Sequence, residues 1–194
     1  SELRDNRRGT VELFADPAAA LKAILAAVVN RSTAVDRDWT STLRAKHKER
    51  SAGFRHMAAN AKEDGEGRLH PSKVLHAVQE RLDPDAIVVV DGGDFLSFAR
   101  VGLSAGTYLD PGSFGCLGVG LPFGIAASLA YPERQVVVTT GDGSFGFNAI
   151  ELDTAVRHGA RLVIVVGNNG AWQIEVSDQI QNYHRVIGTR LQFA

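Results

Sequence analysis

Three short runs of uninterrupted apolar residues punctuate the second half of the chain, and each stops at a polar, glycine-containing turn. Ala86–Val90 (AIVVV) stops at Asp91-Gly92-Gly93, Gln135–Thr140 (QVVVTT) at Gly141-Asp142-Gly143, and Arg161–Gly167 (RLVIVVG) at Asn168-Asn169-Gly170. Val and Ile runs without polar alternation predict strands covered on both faces, hence a parallel sheet. Helical patterns lie between them. His70–Leu82 carries Pro71 near its start, Ala126–Ala130 is a close-packing stretch of small residues, and a helix after Gly143 is predicted to end with Gly159 at its C′ position. The expected fold is a three-layer, doubly wound α/β domain with a mostly parallel sheet. Ligands in such sheets sit at the carboxyl ends of the strands, so the three turns fall on one edge.

The first third reads differently. Val11–Phe14 (VELF) has the look of a short strand, and Asp16–Val29 that of an Ala/Leu-rich helix with an Asp N-cap and Pro17 at its first position. One strand and one helix cannot bury a core, so residues 1–30 are expected to pack on something else. Residues 31–67 are charged, with a thin apolar stripe (Trp39, Leu43, Phe54, Met57) predicting a connector helix that ends near Gly65 and Gly67. A nucleic-acid arm is disfavoured because Glu49, Glu63, Asp64 and Glu66 offset its basic residues. Residues 68–194 form the main domain.

Composition narrows the classes. With 194 residues, 44% of them hydrophobic, the chain has material for one good core and an appended piece. A formal net charge of -1 leaves no electrostatic footprint for nucleic acid. The opening SELRDNRRGT is too polar for a signal peptide, and no apolar run approaches the roughly 18 residues of a membrane helix. Cys116 is the only cysteine, which excludes an intrachain disulfide and fits a reducing compartment. The 6 histidines lack zinc-type spacing. A soluble, cytoplasmic α/β protein is expected.

The chemistry concentrates in Gly141–Asn169. A right-handed βαβ crossover puts the turns after two successive parallel strands at the same end of the sheet. Asp142 and Asn169 can thereby converge on one point. Two hard oxygen donors suit Mg²⁺ or Ca²⁺, completed by water, a backbone carbonyl and ligand phosphates. Glycines beside the acid would let a diphosphate approach, with a helix N-terminus adding partial positive charge. Gly141, Gly143 and Gly146 also spell G-x-G-x-x-G, the dinucleotide fingerprint. That reading sets the Asp142 carboxylate against the phosphates, and it lacks the acid expected at the end of the next strand, where Gly167, Asn168 and Asn169 stand. Either turn alone reads as a turn former; together they favour a metal site. Between the first two strands, glycines at 112, 115, 118, 120 and 124 mark a loop whose backbone approaches something, followed by a helix.

GDG followed after 24 residues by NN resembles the signature of the thiamine diphosphate-binding (PP) domain of the family containing acetolactate synthase, pyruvate decarboxylase, benzaldehyde lyase and oxalyl-CoA decarboxylase. The resemblance spans roughly residues 69–194. It implies that Asp142, Asn169 and the Ala171 carbonyl hold Mg²⁺ against the diphosphate of thiamine diphosphate, with Gly141, Gly143 and Ser144 alongside. GSFGCLGVGLP is similar to the loop that carries the aminopyrimidine. There the Gly115 carbonyl would accept from the 4′-amino group, Cys116 would adjoin it, and Leu117 would bend the cofactor, core packing being the other reading of Leu117. Gly92 and Gly93 fall where the family has another diphosphate loop, and Asp94 beside them departs from its polar-neutral or basic pattern. Asp94 is expected to turn away or to bind through water.

DGGDF, GSFGCLG, GDGSFGFN and GNNGAW together look most like acetolactate synthase-like proteins, although AWQIEVSDQ replaces the run those enzymes carry after NN. Trp172-Gln173-Ile174-Glu175 resembles an aromatic-x-Ile-Glu of pyruvate decarboxylase-like enzymes, which implies proton handling by Glu175, although a surface or salt-bridged Glu175 is the favoured reading. Trp172 would line the substrate pocket or cover the metal loop. Three functions follow: an acetolactate synthase-like transferase, a 2-oxo acid decarboxylase or 2-hydroxyacyl-CoA lyase, and a non-catalytic nucleotide-binding module. The resemblance also implies a 2-oxo acid or acyl-CoA type substrate and a homodimer or homotetramer, with FAD left open. Residues 1–30 would be the tail of a middle domain and residues 68–194 a PP domain cut short at its C-terminus. A fragment without the pyrimidine-binding domain is expected to be inactive.

Overall fold

The computed structural model describes residues 9–31, 37–65 and 67–192. The chain forms two compact units, Ser1–Ala45 and Lys46–Ala194, with the division inside one helix. In the first unit, α1 (Pro17–Val28) starts as expected: Asp16 caps it by accepting from the Ala19 N–H at 2.9 Å, and Pro17 takes the first turn. The short strand expected at Val11–Phe14 does not form. Those residues are irregular, with Phe14 87% exposed, because a strand needs a partner ladder and none is offered among the described residues.

Helix α2 (Arg37–Asn60) crosses the division. Its apolar stripe is only partly used: Phe54 and Ala58 are buried, while Trp39, Leu43 and Met57 are exposed. Phe54 lies against Gly102, where a methyl group would have no room.

The second unit is organised by a fully parallel sheet. Strands β1 (Ile87–Val90), β2 (Thr107–Leu109), β3 (Val136–Gly141) and β4 (Val163–Gly167) lie in the order β2-β1-β3-β4. Side chains alternate across β1. Val88 and Val90 join Leu75 of α3 (Pro71–Gln79) and Phe95, Leu96 and Ala99 of α4 (Asp94–Gly102). Ile87 and Val89, with Val136 and Val138, pack on the other face against Ala127 of α5 (Gly120–Ala130). Helices on both faces make the expected three-layer, doubly wound arrangement. Gly124 of α5 meets Val138 without space for a Cβ, so α5 sits close on the sheet.

Two further expectations are corrected, and one strand is new. The connection from Asp142 to Gly159 is two short helices, α6 (Asp142–Asn148) and α7 (Glu151–Arg157), broken at Ala149-Ile150. Strand β4 is not covered on both faces: it is an edge strand, with Val163 53% exposed. β2 has no counterpart among the expected strands, since TYL is too short to produce a pattern. Among the described residues no helix is long and apolar enough to cross a membrane. The chain order leaves β1 towards β2 on one side and returns to β3 on the other, so the switch point lies between β1 and β3.

Candidate functional site

At the carboxyl ends of β1, β3 and β4, beside that switch point, lies an open cleft of about 70 Å³. It is lined from the β1 end by Gly92, Gly93, Asp94 and Phe95, and from the β3 end by Gly141, Asp142, Gly143 and Ser144. Gly167, Asn169 and Ala171–Glu175 complete it from the β4 side, and Leu117 reaches it from the loop before α5.

Adjacent registration of β3 and β4 brings the two turns together, with Gly141 opposite Gly167. Asp142 is only 5% exposed. Its Oδ1 accepts from the Gly143 N–H at 2.9 Å and its Oδ2 from the Gly170 N–H at 2.8 Å. Asn169 folds into an Asx turn, its Oδ1 accepting from the Ala171 N–H at 3.1 Å. Among the described residues no lysine, arginine or histidine lines the cleft, whereas Asp94, Asp142 and Glu175 do. A diphosphate entering alone would meet carboxylates with nothing to neutralise either charge.

The donor chemistry fits a hard divalent cation. Among the described residues no group of three or more His, Cys, Asp or Glu side chains can hold a metal, so a cation here must rely on one carboxylate plus amide and carbonyl oxygens. Ala171 pairs with Arg190 in an isolated antiparallel bridge whose bonds run through its neighbours: Trp172 N–H to the Thr189 carbonyl (2.9 Å) and Leu191 N–H to the Gly170 carbonyl (2.7 Å). Ala171 is thus the non-hydrogen-bonded member, and the bridge does not consume its own carbonyl.

The glycines flanking Asp142 differ in purpose. A Cβ on Gly141 would meet nothing within 4 Å, which suits the approach of a ligand. A Cβ on Gly143 would lie 2.6 Å from the Trp172 ring, so packing against the indole requires a glycine there. The Trp172 ring thus packs over Gly143, its centroid also 5.7 Å from that of Phe147. Gly93 is similarly closed over by Ile174, whose Cδ1 would lie 2.7 Å from an added Cβ. The expected helix N-terminus beside the acid belongs to α6, whose 7 residues make a weak macrodipole.

Of the residues expected from the sequence, Gly92, Gly93, Leu117, Gly141, Asp142, Gly143, Ser144, Asn169, Ala171, Trp172 and Glu175 line this one cleft. Gly115 and Cys116 do not. Gly112–Phe114 is a single 3₁₀ turn closed by Gly115 in the left-handed conformation (φ 61°), which leads this part of the loop out into solvent. Asp94 does not turn away from the cleft but lines it, half-buried, at the first position of α4. Glu175, in the first turn of α8 (Gln173–Tyr183), lies exposed at the cleft rim.

Sequence reasoning missed the support from residues 187–191. Gln179 of α8 accepts from the Ile187 N–H at 2.8 Å and donates to its carbonyl at 3.2 Å, folding the segment back onto the Asn169 loop. No pattern in the sequence marks that contact. It also missed Asp91, which is 1% exposed and accepts from the Gly92 N–H at 2.6 Å and the Gly120 N–H at 2.7 Å. Its signal was available, since Asp91, like Asp142, is an acid at the end of a buried strand.

Comparison with known proteins agrees with this geometry. The family model for the thiamine pyrophosphate enzyme C-terminal TPP-binding domain matches residues 91–192. A probable acetolactate synthase of Mycobacterium bovis is 49% identical over 110 residues, 55% of this chain and 20% of that protein. The 2-hydroxyacyl-CoA lyase 2 of Caenorhabditis elegans is 35% identical over 188 residues, 93% of this chain and 28% of that protein. Among solved structures, the thiamine diphosphate-dependent 4-hydroxybenzoylformate decarboxylase of Rhodococcus jostii RHA1 superposes with a TM-score of 0.58 at 29% identity, over 65% of this chain and 24% of that one. The chain thus spans about a fifth to just over a quarter of the length of these relatives.

Proposed function

Because the chain belongs to the thiamine pyrophosphate enzymes, through their C-terminal TPP-binding domain, we propose that it supplies the diphosphate-binding half of an enzyme that makes or breaks a carbon–carbon bond beside a carbonyl. One observation carries this: a buried carboxylate, an Asx-turn amide and an uncommitted carbonyl surround a cleft with three carboxylates and no cationic side chain. Asp142, Asn169 and the Ala171 carbonyl are the residues that would hold Mg²⁺, and Gly141 leaves space for the diphosphate. Thiamine diphosphate, when bound, supplies a carbon nucleophile for a carbonyl and accepts the electron pair of the bond that breaks. Leu117, which reaches the cleft from the loop before α5, would pack against the cofactor beyond its diphosphate. Glu175, exposed at the rim, would hold or deliver a proton to a bound substrate. Trp172 shields the metal loop from water.

The favoured activity is acetolactate synthase-like, decarboxylating a 2-oxo acid and transferring the remainder to a second carbonyl. A 2-hydroxyacyl-CoA lyase is the second reading, favoured by the match to the nematode lyase, which extends over 93% of the chain. A dimeric or tetrameric cytoplasmic protein belongs to the same reading of the full-length polypeptide, which leaves FAD open.

Calorimetric titration of the full-length protein with thiamine diphosphate, with Mg²⁺ and with EDTA, tests the site. Binding should require the metal and fall at least about a hundredfold in Asp142→Ala, which removes the one carboxylate of the donor set. Metal-independent binding of NAD, unaffected by that substitution, would overturn the proposal. Product analysis with pyruvate against a 2-hydroxyacyl-CoA then separates the two activities.

A further inference from the structure

Two side chains given no part above grip the same short peptide from opposite sides. Asp91, at the end of β1, accepts the Gly120 N–H on Oδ2 at 2.7 Å while its Oδ1 takes the Gly92 N–H. Asn148, the last residue of α6, donates its Nδ2 to the Gly118 carbonyl at 2.8 Å. The fit is close on both sides. A Cβ on Gly120 would lie 2.7 Å from the Asp91 Cβ, and one on Gly118 2.7 Å from the Phe147 Cβ and 2.9 Å from the Asn148 Nδ2. Gly118 also has φ 90°, a conformation that glycine adopts without strain.

Residues 118–120 are therefore fixed by shape and by hydrogen bonds, whereas residues 112–117 before them are exposed. Leu117, which lines the cleft, is the residue next to this fixed point. The far end of the exposed stretch is tied down separately, where Asp110 accepts from the Gly112 N–H at 2.8 Å and pairs with Arg100.

Both grips originate in the loops that surround Asp142. The Asp91 carboxylate shapes the turn at Gly92 (φ 103°), where an added Cβ would press on the Gly141 nitrogen and Ser144 Oγ at 3.3 Å. Asn148 ends the same helix that Asp142 begins. A buried acid serving no further purpose would be a costly way to end a strand, since Asp91 has no lysine, arginine or histidine partner among the described residues. We infer that Asp91 and Asn148 are positioning residues, a two-sided clamp on Gly118–Gly120 that sets Leu117 against the cleft in register with the diphosphate loops. The inference rests on the proposed cofactor site, and it concerns only the part of the ligand beyond the diphosphate.

Two probes divide the site: thiamine diphosphate, which touches both the diphosphate loops and Leu117, and inorganic pyrophosphate, which touches only the former. Both are titrated in the presence of Mg²⁺ into the full-length protein and its variants. Asn148→Leu keeps the branched shape and the number of side-chain heavy atoms and removes the donor. It should weaken thiamine diphosphate about tenfold, as expected for one lost hydrogen bond of a positioned group, and leave pyrophosphate within about twofold. Asp91→Asn should split the two affinities in the same direction, because both partners of Asp91 are N–H donors and an amide can satisfy only one. If Asp91→Asn does not fold, Asn148→Leu decides alone. Equal losses for both probes, or no loss for either, would overturn the clamp. An unaltered protein that binds neither probe shows the cofactor reading itself to be wrong before any substitution is made, and the clamp falls with it.

Discussion

The two glycines that flank Asp142 occupy opposite environments, and substitution should separate their roles. In Gly143→Ala the new methyl group would lie 2.6 to 2.8 Å from three carbons of the Trp172 ring, so the indole must move. Overpacking of this kind costs about 1–3 kcal/mol. The expected outcome is a clear drop in the thermal unfolding midpoint, together with weaker Mg²⁺ binding as Trp172 is displaced. In Gly141→Ala the methyl group meets no protein atom, and the backbone (φ -77°, ψ 160°) is one that alanine adopts freely. Stability should change by no more than about 0.5 kcal/mol, while Mg-pyrophosphate affinity falls because the methyl group occupies cleft space. Scanning calorimetry and titration of the two variants check the contrast. A Gly141→Ala protein that unfolds earlier yet binds pyrophosphate normally would remove Gly141 from the site.

At the scale of elements, the Asn169–Trp172 turn depends on a segment about twenty residues further along the chain. Gln179 fixes Ile187 through both backbone groups, and residues 189–191 then bond back to Gly170 and Trp172. Gln179→Ala removes its two hydrogen bonds with the Ile187 backbone and a long one (3.5 Å) from the Thr189 hydroxyl, all at a distance from the cleft and worth about 1–3 kcal/mol together. The Trp172 and Leu191 amides should exchange faster with solvent, and Mg²⁺ affinity should fall severalfold with no residue of the cleft altered. Unchanged exchange at both amides would show the turn to be self-supporting. The sequence makes this dependence invisible, because Gln179 and Ile187 belong to no periodic pattern and their bonds are to backbone. The turn itself is legible, since strand periodicity locates Asp142 and Asn169 and βαβ handedness converges them. Periodicity also over-reads. β4 has the apolar run of a covered strand but lies at the sheet edge, and VELF, read as a short strand, finds no ladder to join among the described residues. Asp91 is legible as an acid at the end of a buried strand, as Asp142 is, but its partner Gly120 is 29 residues away and only the packed fold reveals that contact.

Across the whole second unit, the sheet places its binding edge and its main titratable liability on different strands. Tyr108 lies on edge strand β2, with its hydroxyl buried and without a hydrogen-bond partner. Burial pushes its phenol up from 10.0 to about 12, the Asp110 charge adds to the shift, and Arg100 opposes it. Asp110 itself is held below the usual carboxylate range, first by its hydrogen bond from Arg100 and then by the Gly112 N–H. It therefore stays charged, and the Gly112 anchor intact, throughout neutral and alkaline conditions. The raised phenol means that the folded state resists forming the phenolate. Its contribution to stability is present in full below pH 10.0 and is lost as pH rises towards about 12. Urea unfolding across that window should show stability falling in the parent protein and a smaller fall in Tyr108→Phe. At neutral pH the phenylalanine variant should be as stable as the parent or more so, because the substitution removes a buried hydroxyl that satisfies nothing. A variant destabilised at neutral pH by more than about 1 kcal/mol would mean that the hydroxyl has a partner after all. Cofactor affinity at neutral pH should be the same in both proteins, since β2 lies at the far edge of the sheet from the β3–β4 turns and contributes no residue to the cleft.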